Sequence, residues 1–291
     1  MRINRLAAVA AIATLTVGLA ACGDNDDKKS SGSTKDFPAG STMARLNKAQ
    51  SIKIGTKFDQ PGFGLKGLDG KPTGFDVSIA TDIAAELGIP ADKITWVETQ
   101  SAVREEVIEQ GKVDMVVATY TINPKRKERI AFAGPYYTAG QAIMVRSDET
   151  GITTPESLKT SGKKVCSVQG STPAANIEKY LANKATQLVL FDVYSKCVDA
   201  LKGKQVDAVT TDNVILLGFI ANSNGAYKLA GPTFTQEPYG IGVKKDDTAF
   251  RGFINDTLTK MATDGRYAAA WKDTAGKFDP STPTAPAVDR Y

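Results

Sequence analysis

Histidine is absent from all 291 residues. That alone removes Ser-His-Asp and Cys-His nucleophilic catalysis, histidine-ligated zinc and any histidine pH switch. No phosphate loop of the form GxxxxGK[ST] occurs either, so nucleotide hydrolysis by that device is not expected here. Beyond Ala20 no stretch is apolar enough to span a bilayer. An excess of one charge is missing too: 36 Lys and Arg stand against 32 Asp and Glu, a formal net charge of +4. That makes no electrostatic case for nucleic acid. Acidic pairs such as Glu105-Glu106 read as a solvated helix face, and neither a metal nor a cofactor is expected.

Cysteine is scarce, with three residues in three settings. The first lies near a basic start, Met1-Arg2-Ile3-Asn4-Arg5, followed by an apolar stretch from Leu6 to Ala20. That stretch is too short and small-residued for a membrane span and reads as a bacterial secretion signal over residues 1–21. Losing Arg2 and Arg5 with it takes the net charge from +4 to +2. The signal ends in Leu19-Ala20-Ala21-Cys22-Gly23, which resembles the lipobox of bacterial lipoproteins. The resemblance implies that Cys22 carries a diacylglycerol thioether and anchors the chain at the extracytoplasmic face of the cell membrane. The plainer alternative is an ordinary signal with an incidental cysteine. Residues 22–44 are then a lipidated flexible tether, because Gly23 to Gly40 is polar and Gly/Ser-rich. Residues 276–291, rich in Pro, Thr and Ala from Asp279 on, read as a disordered tail.

Between these ends, short β-rich runs alternate with helical patterns, which argues for an α/β class. Strands are expected at Ile52–Thr56, Thr95–Glu98, Asp114–Thr119, Ala142–Arg146, Lys164–Val168, Leu188–Phe191, Asp207–Thr211 and Gly240–Val243. The clearest helix would start at Asp76 as its N-cap and place Val77, Ala80, Ile83, Ala84 and Leu87 on one face. Others are expected after Thr172-Pro173 and over Ser195–Lys202, Asn213–Ala221 and Thr248–Thr263. The remaining cysteines, Cys166 in a strand and Cys197 in a helix about thirty residues later, are expected to be bonded in an exported chain. Two separate buried thiols are the alternative. Closing a loop of that size is worth on the order of 3 kcal/mol in the chain-entropy picture.

Gly62-Phe63-Gly64-Leu65-Lys66-Gly67 matches GxGxxG, but Leu68 to Gly74 follows with turn chemistry instead of the helix a dinucleotide site needs. The more informative segment is Val113–Tyr137. A β-run ends at Ala118-Thr119, a turn holds Thr121, and a helix starts near Pro124 with Arg126 in its first turn. Helix starts leave unpaired N–H groups and partial positive charge, and an Arg fork beside them can hold a carboxylate. A solvent-facing arginine on an amphipathic helix is an equal alternative on chemistry alone. Gln169-Gly170-Ser171-Thr172 repeats the pattern of strand end, tight turn and helix start. Asp212 stands just beyond a third strand, placed to meet an ammonium or to cap the helix from Asn213.

Together these residues resemble the amino-acid-binding branch of the ABC-transporter solute-binding proteins, from about Ser51 to Trp271. The marks are Gly74-Phe75-Asp76-Val77, Val113-Asp114-Met115, Thr121 with Arg126, Phe132 to Tyr137, Gln169 to Thr172, Asp207-Ala208-Val209 and Tyr239 to Gly242. The resemblance implies a two-lobed, periplasmic-binding-protein-like fold with two crossover segments and a ligand cleft between the lobes. Lobe one would be 45–145 plus 238–275, lobe two 146–237, with crossovers at Val145-Arg146-Ser147 and Gln236-Glu237-Pro238. It also implies that Arg126 grips an α-carboxylate with backbone N–H groups of Thr121 and Thr172. The ammonium would meet the Thr119 carbonyl, the Thr121 hydroxyl and Asp212. Thr211 stands where some relatives that bind glutamine have histidine, so it gives no simple guide to the ligand side chain.

Lys57, Ser101 and Arg104 match the side-chain subsite. Burying an extra cation unpaired is costly, so a basic residue there points to an acidic ligand; the alternative is that Lys57 and Arg104 point to solvent. IGTKFDQPGFG and CSVQGSTPA look most like the glutamate-binding lipoproteins of Gram-positive actinobacteria, which share the cysteine pair. L-glutamate is therefore expected, with aspartate next and glutamine or asparagine as neutral alternatives. By the same resemblance the chain is a monomer that closes on its ligand and delivers it to ABC permease subunits, ATP hydrolysis residing in another subunit. An amino-acid sensor of the same fold is the rival role. An enzyme is not expected, because Asp212 bound to an ammonium stays ionised and is no proton donor.

Overall fold

The computed structural model of the protein describes residues 35–291. The secretion signal and lipidation expected at 1–21 and Cys22 lie outside the described residues. Helix α1 (Thr42–Ala49) is capped by Ser41, whose hydroxyl accepts the Ala44 N–H. Strand β1 (Ile52–Thr56) follows, then a small antiparallel sheet of β2 (Asp59–Gln60), β3 (Gly64–Lys66) and β4 (Pro72–Thr73). Helix α2 (Phe75–Glu86) comes next, followed by β5 (Ile94–Glu98), α3 (Arg104–Glu109), β6 (Met115–Val116) and α4 (Pro124–Lys127). Strands β7 (Ala131–Ala139) and β8 (Gln141–Arg146) are separated by Gly140 alone.

The next stretch holds α5 (Glu156–Ser161), β9 (Val165–Val168), α6 (Thr172–Ile177), α7 (Lys184–Gln187), β10 (Leu188–Phe191), α8 (Tyr194–Lys202), β11 (Ala208–Asp212), α9 (Asn213–Ala221) and β12 (Tyr227–Leu229). The chain closes with β13 (Glu237–Val243), α10 (Thr248–Asp264) and α11 (Arg266–Asp273).

Two five-stranded sheets define the two lobes. The first runs β5-β1-β6-β13-β7 and the second β10-β9-β11-β8-β12. In each, a parallel trio is completed by antiparallel strands: β1 lies parallel to β5 and β6, and β9 to β10 and β11. Parallel strands covered on both faces read as continuous apolar runs, and Val165-Cys166-Ser167-Val168 is buried at every position. The chain passes from sheet one to sheet two at Gly140 and returns between β12 and β13. The outward crossover therefore precedes the expected Val145-Arg146-Ser147, because Gln141–Arg146 already pairs with β11 and β12. On the return, Glu237 pairs with Ala139 and belongs to sheet one.

Two expectations fail for the same reason, a partner distant in sequence. Asp76 does not cap α2: the N-cap is Gly74, without a side-chain bond, and Asp76 is buried inside the first turn. The segment after Lys277 forms no helix or strand, yet it is packed rather than loose. Ala285 and Val288 lie against the core, the Asp289 N–H donates to Gly134 O, and Trp271 Nε1 donates to Ser281 O. Tyr291 accepts the Phe132 N–H at its hydroxyl and lies within 4.2 Å of Arg251 and 3.8 Å of Lys127, measured to the ring centre. The tether too is docked where described, Phe37 against Phe253 and Lys35 on Glu86.

Lobe one is built around an aromatic cluster, with Phe75 edge-on to Trp271 at 5.3 Å and Trp271 stacked on Tyr137 at 5.1 Å. Such pairs add to area burial by about 0.5–1.5 kcal/mol each. In lobe two Cys166 and Cys197 form a disulfide that ties β9 to α8.

Candidate functional site

The elements that end on the cleft leave a small pocket of about 10 Å³ between the lobes. Lobe one contributes Gln60, Ser101, Arg104, Thr119 and Thr121, and lobe two Ser171, Thr172, Pro173, Tyr194, Thr211, Asp212 and Ile215. Six of the eight ligand residues expected from sequence line it. Lys57 and Arg126 do not, although each is one bond away: Lys57 Nζ donates to Ser101 Oγ at 2.9 Å, and Arg126 Nη1 to Thr121 O at 2.7 Å.

The lobe-one wall rests on a strained turn. Thr119 has φ of +46°, a conformation uncommon for a residue with a side chain. Asp76 holds it there: its carboxylate accepts the Thr119 N–H at 2.7 Å and the Tyr136 hydroxyl at 2.6 Å. The Thr119 hydroxyl then donates to Gln60 Oε1 at 3.0 Å, which fixes the amide of Gln60. Burial, opposed by those two hydrogen bonds, pushes Asp76 up to about 7.

Two guanidiniums share one ring. Arg104 lies 4.1 Å and Arg126 5.0 Å from the centre of Tyr120. Arg104 Nη1 donates to Ala118 O at 2.9 Å and to Thr119 O at 3.4 Å, while its Nε has no partner. Arg126, set by the Asn123 cap that starts α4, has one contact at each guanidinium nitrogen and keeps further N–H donors for a ligand. Its Nη2 donates across the cleft to Gly170 O at 3.1 Å, and its Nε lies 3.2 Å from Glu105. Glu105 is thus a buried ion-pair partner and not the solvated helix face its sequence suggests. Burial first, then repulsion from Arg104, lowers Arg126 to about 10. Burial and Arg104 likewise push Lys57 well below the ordinary lysine value.

Asp212 ends β11 at the start of α9 and makes no side-chain cap, so of its two possible roles capping is not the one it performs. Its Oδ2 accepts the Tyr239 hydroxyl at 2.6 Å, and Oδ1 has no partner. Burial, then the charge of Glu237, pushes it up to about 7. Gln60 Nε2 and Thr211 Oγ1 are also buried without partners. Unpaired buried polar atoms are rare in folded proteins and costly. Here four of them, Arg104 Nε, Gln60 Nε2, Thr211 Oγ1 and Asp212 Oδ1, belong to residues lining one cavity. The wall offers cationic and amide donors from lobe one and a carboxylate from lobe two. That is the complement of a small zwitterion. Tyr194 and Ile215 carry neither motif nor charge, whereas Gln60 and Ser171 lie inside the motifs IGTKFDQPGFG and Gln169 to Thr172 with nothing local to single them out as site residues. Among the described residues, no group of three or more His, Cys, Asp or Glu is placed to hold a metal ion.

Residues 52–273 match the family model of the bacterial extracellular solute-binding proteins, family 3. The glutamate-binding protein GluB of Corynebacterium efficiens is 40% identical over 274 residues, spanning 91% of this chain and 88% of the relative. The ABC transporter glutamine-binding protein GlnH of Bacillus subtilis is 40% identical over 255 residues, 87% of this chain and 90% of its own. Among solved structures, an ancestral arginine-binding protein bound to arginine aligns with a TM-score of 0.72 at 35% identity. That alignment covers 77% of this chain and 98% of the ancestral one.

Proposed function

Because the chain belongs to family 3 of the bacterial extracellular solute-binding proteins, we propose that it captures L-glutamate between its lobes. The loaded form then delivers the amino acid to membrane permease subunits of an ABC importer. The α-carboxylate meets the paired guanidiniums of Arg104 and Arg126 and the backbone N–H groups of Thr121 and Thr172. The ammonium meets Asp212 Oδ1, the Thr119 carbonyl and the Thr121 hydroxyl. The side-chain carboxylate meets Lys57 and Ser101, with Arg104 beside them. In this reading Cys22 carries the lipid that keeps the receptor at the outer face of the membrane.

The observation that carries the choice of an acidic ligand is Lys57. Its ammonium is buried, has Ser101 Oγ as its hydrogen-bond partner, and lies close enough to Arg104 to feel its charge. Asp59 and Glu98 offset the charge of Arg104 in part, but among the described residues no carboxylate forms an ion pair with Lys57, and a buried cation without a contacting counter-ion is expensive. A γ-carboxylate beside Lys57 reverses that cost, whereas a γ-carboxamide leaves it standing. Glutamate-binding GluB at 40% identity supports this choice. A glutamine receptor is the second reading, favoured by equal identity to GlnH.

Lys57→Met separates the two, since it removes the charge and keeps most of the stem. Measured by calorimetry, glutamate affinity should fall at least about thirtyfold, from the 2–5 kcal/mol lost with one partner of a buried charge pair. Glutamine affinity should change by less than about threefold. Equal losses for both would refute the assigned role.

A further inference from the structure

Helix α8 has no N-cap of its own. The residue before it is Val193, which has no side-chain oxygen to offer the unpaired N–H groups of the first turn. That service comes from the opposite lobe: Asp59 Oδ2, on β2, accepts the Ser195 N–H at 3.1 Å. We infer that Asp59 is a cap supplied in trans, a latch that forms only when the lobes meet and that sets affinity without touching the ligand. The inference rests on the ligand-capture reading above.

Three features make the latch physical. Asp59 immediately precedes Gln60, which lines the cavity, and α8 begins at Tyr194, which lines it from the other side. The bond therefore reports cleft closure within one residue of the site on both lobes. The backbones around it are already in contact: a Cβ on Gly170, at φ of +76°, would lie 2.7 Å from Ala102 Cα. One on Gly218 would lie 2.5 Å from Pro61 O. Nor is the charge neutral in effect, because a carboxylate at a helix start is stabilised by the helix dipole. Opening the lobes would return Asp59 to water and leave the α8 N–H groups uncapped. The contact is thus a difference between the two states, which is what shifts a two-state equilibrium.

Asp59 also raises the pKa of Lys57 through its charge, so an effect on closure must be told from an effect on Lys57. Two ligands do this. If Asp59 acts as a latch, Asp59→Ala should weaken L-glutamate and L-glutamine by the same factor, about tenfold, with the loss in the off-rate. Asp59→Asn, which keeps an acceptor oxygen, should recover most of it. A loss confined to glutamate would place the effect on Lys57 and overturn the latch. Unchanged affinity for both would overturn it too. A ligand-independent readout covers the case in which neither amino acid binds and the capture reading itself fails. Nitroxide labels at Leu68→Cys and Ala185→Cys report the inter-lobe distance. A population shifted to longer distances in Asp59→Ala supports the latch, and identical distributions refute it.

Discussion

The two walls of the cleft are built from opposite chemistry on similar frames. Each lobe presents strand ends and helix starts around a five-stranded sheet of the same pattern. Lobe one carries Lys57, Arg104 and Arg126 within the cleft, balanced locally by Glu105. Lobe two carries Asp212 and hydroxyls, with Tyr239 of β13 reaching over to the carboxylate. A molecule with a single charge satisfies one wall and leaves the other's polar groups buried and unpaired. A zwitterion satisfies both at once, and that difference between walls is what gives a ligand leverage over closure.

Removing the cationic side of this comparison should have the largest effect. Arg126→Ala deletes a guanidinium, the cross-cleft bond to Gly170 O and the partner of Glu105. Loss of one member of a buried charge pair costs about 3–5 kcal/mol, so calorimetry should show amino-acid affinity reduced by about a thousandfold. Unchanged affinity would remove the guanidinium from the site.

Asp212→Asn neutralises the other wall with little change of shape, and a loss of about a hundredfold is expected, because the amide oxygen still accepts. The smaller effect is in pH. Asp212 is pushed up to about 7 by burial and by Glu237, with Tyr239, Arg104 and Arg126 acting against them. A ligand ammonium favours the ionised carboxylate, so below about pH 7 binding must expel a proton. Affinity should then fall by roughly tenfold per pH unit as pH drops from 7. In Asp212→Asn that slope should flatten, and a slope that persists unchanged would assign the proton elsewhere.

What could be read from sequence divides by the distance over which its cause acts. Arg126 after Asn123-Pro124, Thr172 before Pro173 and Asp212 after a strand carry local signals, because helix starts have their own residue preferences. The strand order needed longer runs, and β7 escaped notice because Ala131–Ala139 contains Gly134-Pro135, which reads as a turn. Asp76 and Glu105 carry local signals that mislead. Each looks like a helix-end or surface acid until Thr119 or Arg126 is brought beside it from 43 residues away in the first case. Gln60 and Tyr194 carry no charge or cap signal of their own, since an uncharged polar side chain becomes a site residue only when the opposite lobe encloses it. The tail fails similarly. Its composition is that of a loose segment, but Val288 and Tyr291 find an apolar groove and two cations on lobe one.

The central claim is that an acidic amino acid joins these two walls. Its most direct test is calorimetric titration of the unaltered protein with L-glutamate and with L-glutamine near neutral pH. Glutamate should bind at least about tenfold more tightly, with one ligand per chain. Glutamine binding as tightly as glutamate, or more so, would contradict it.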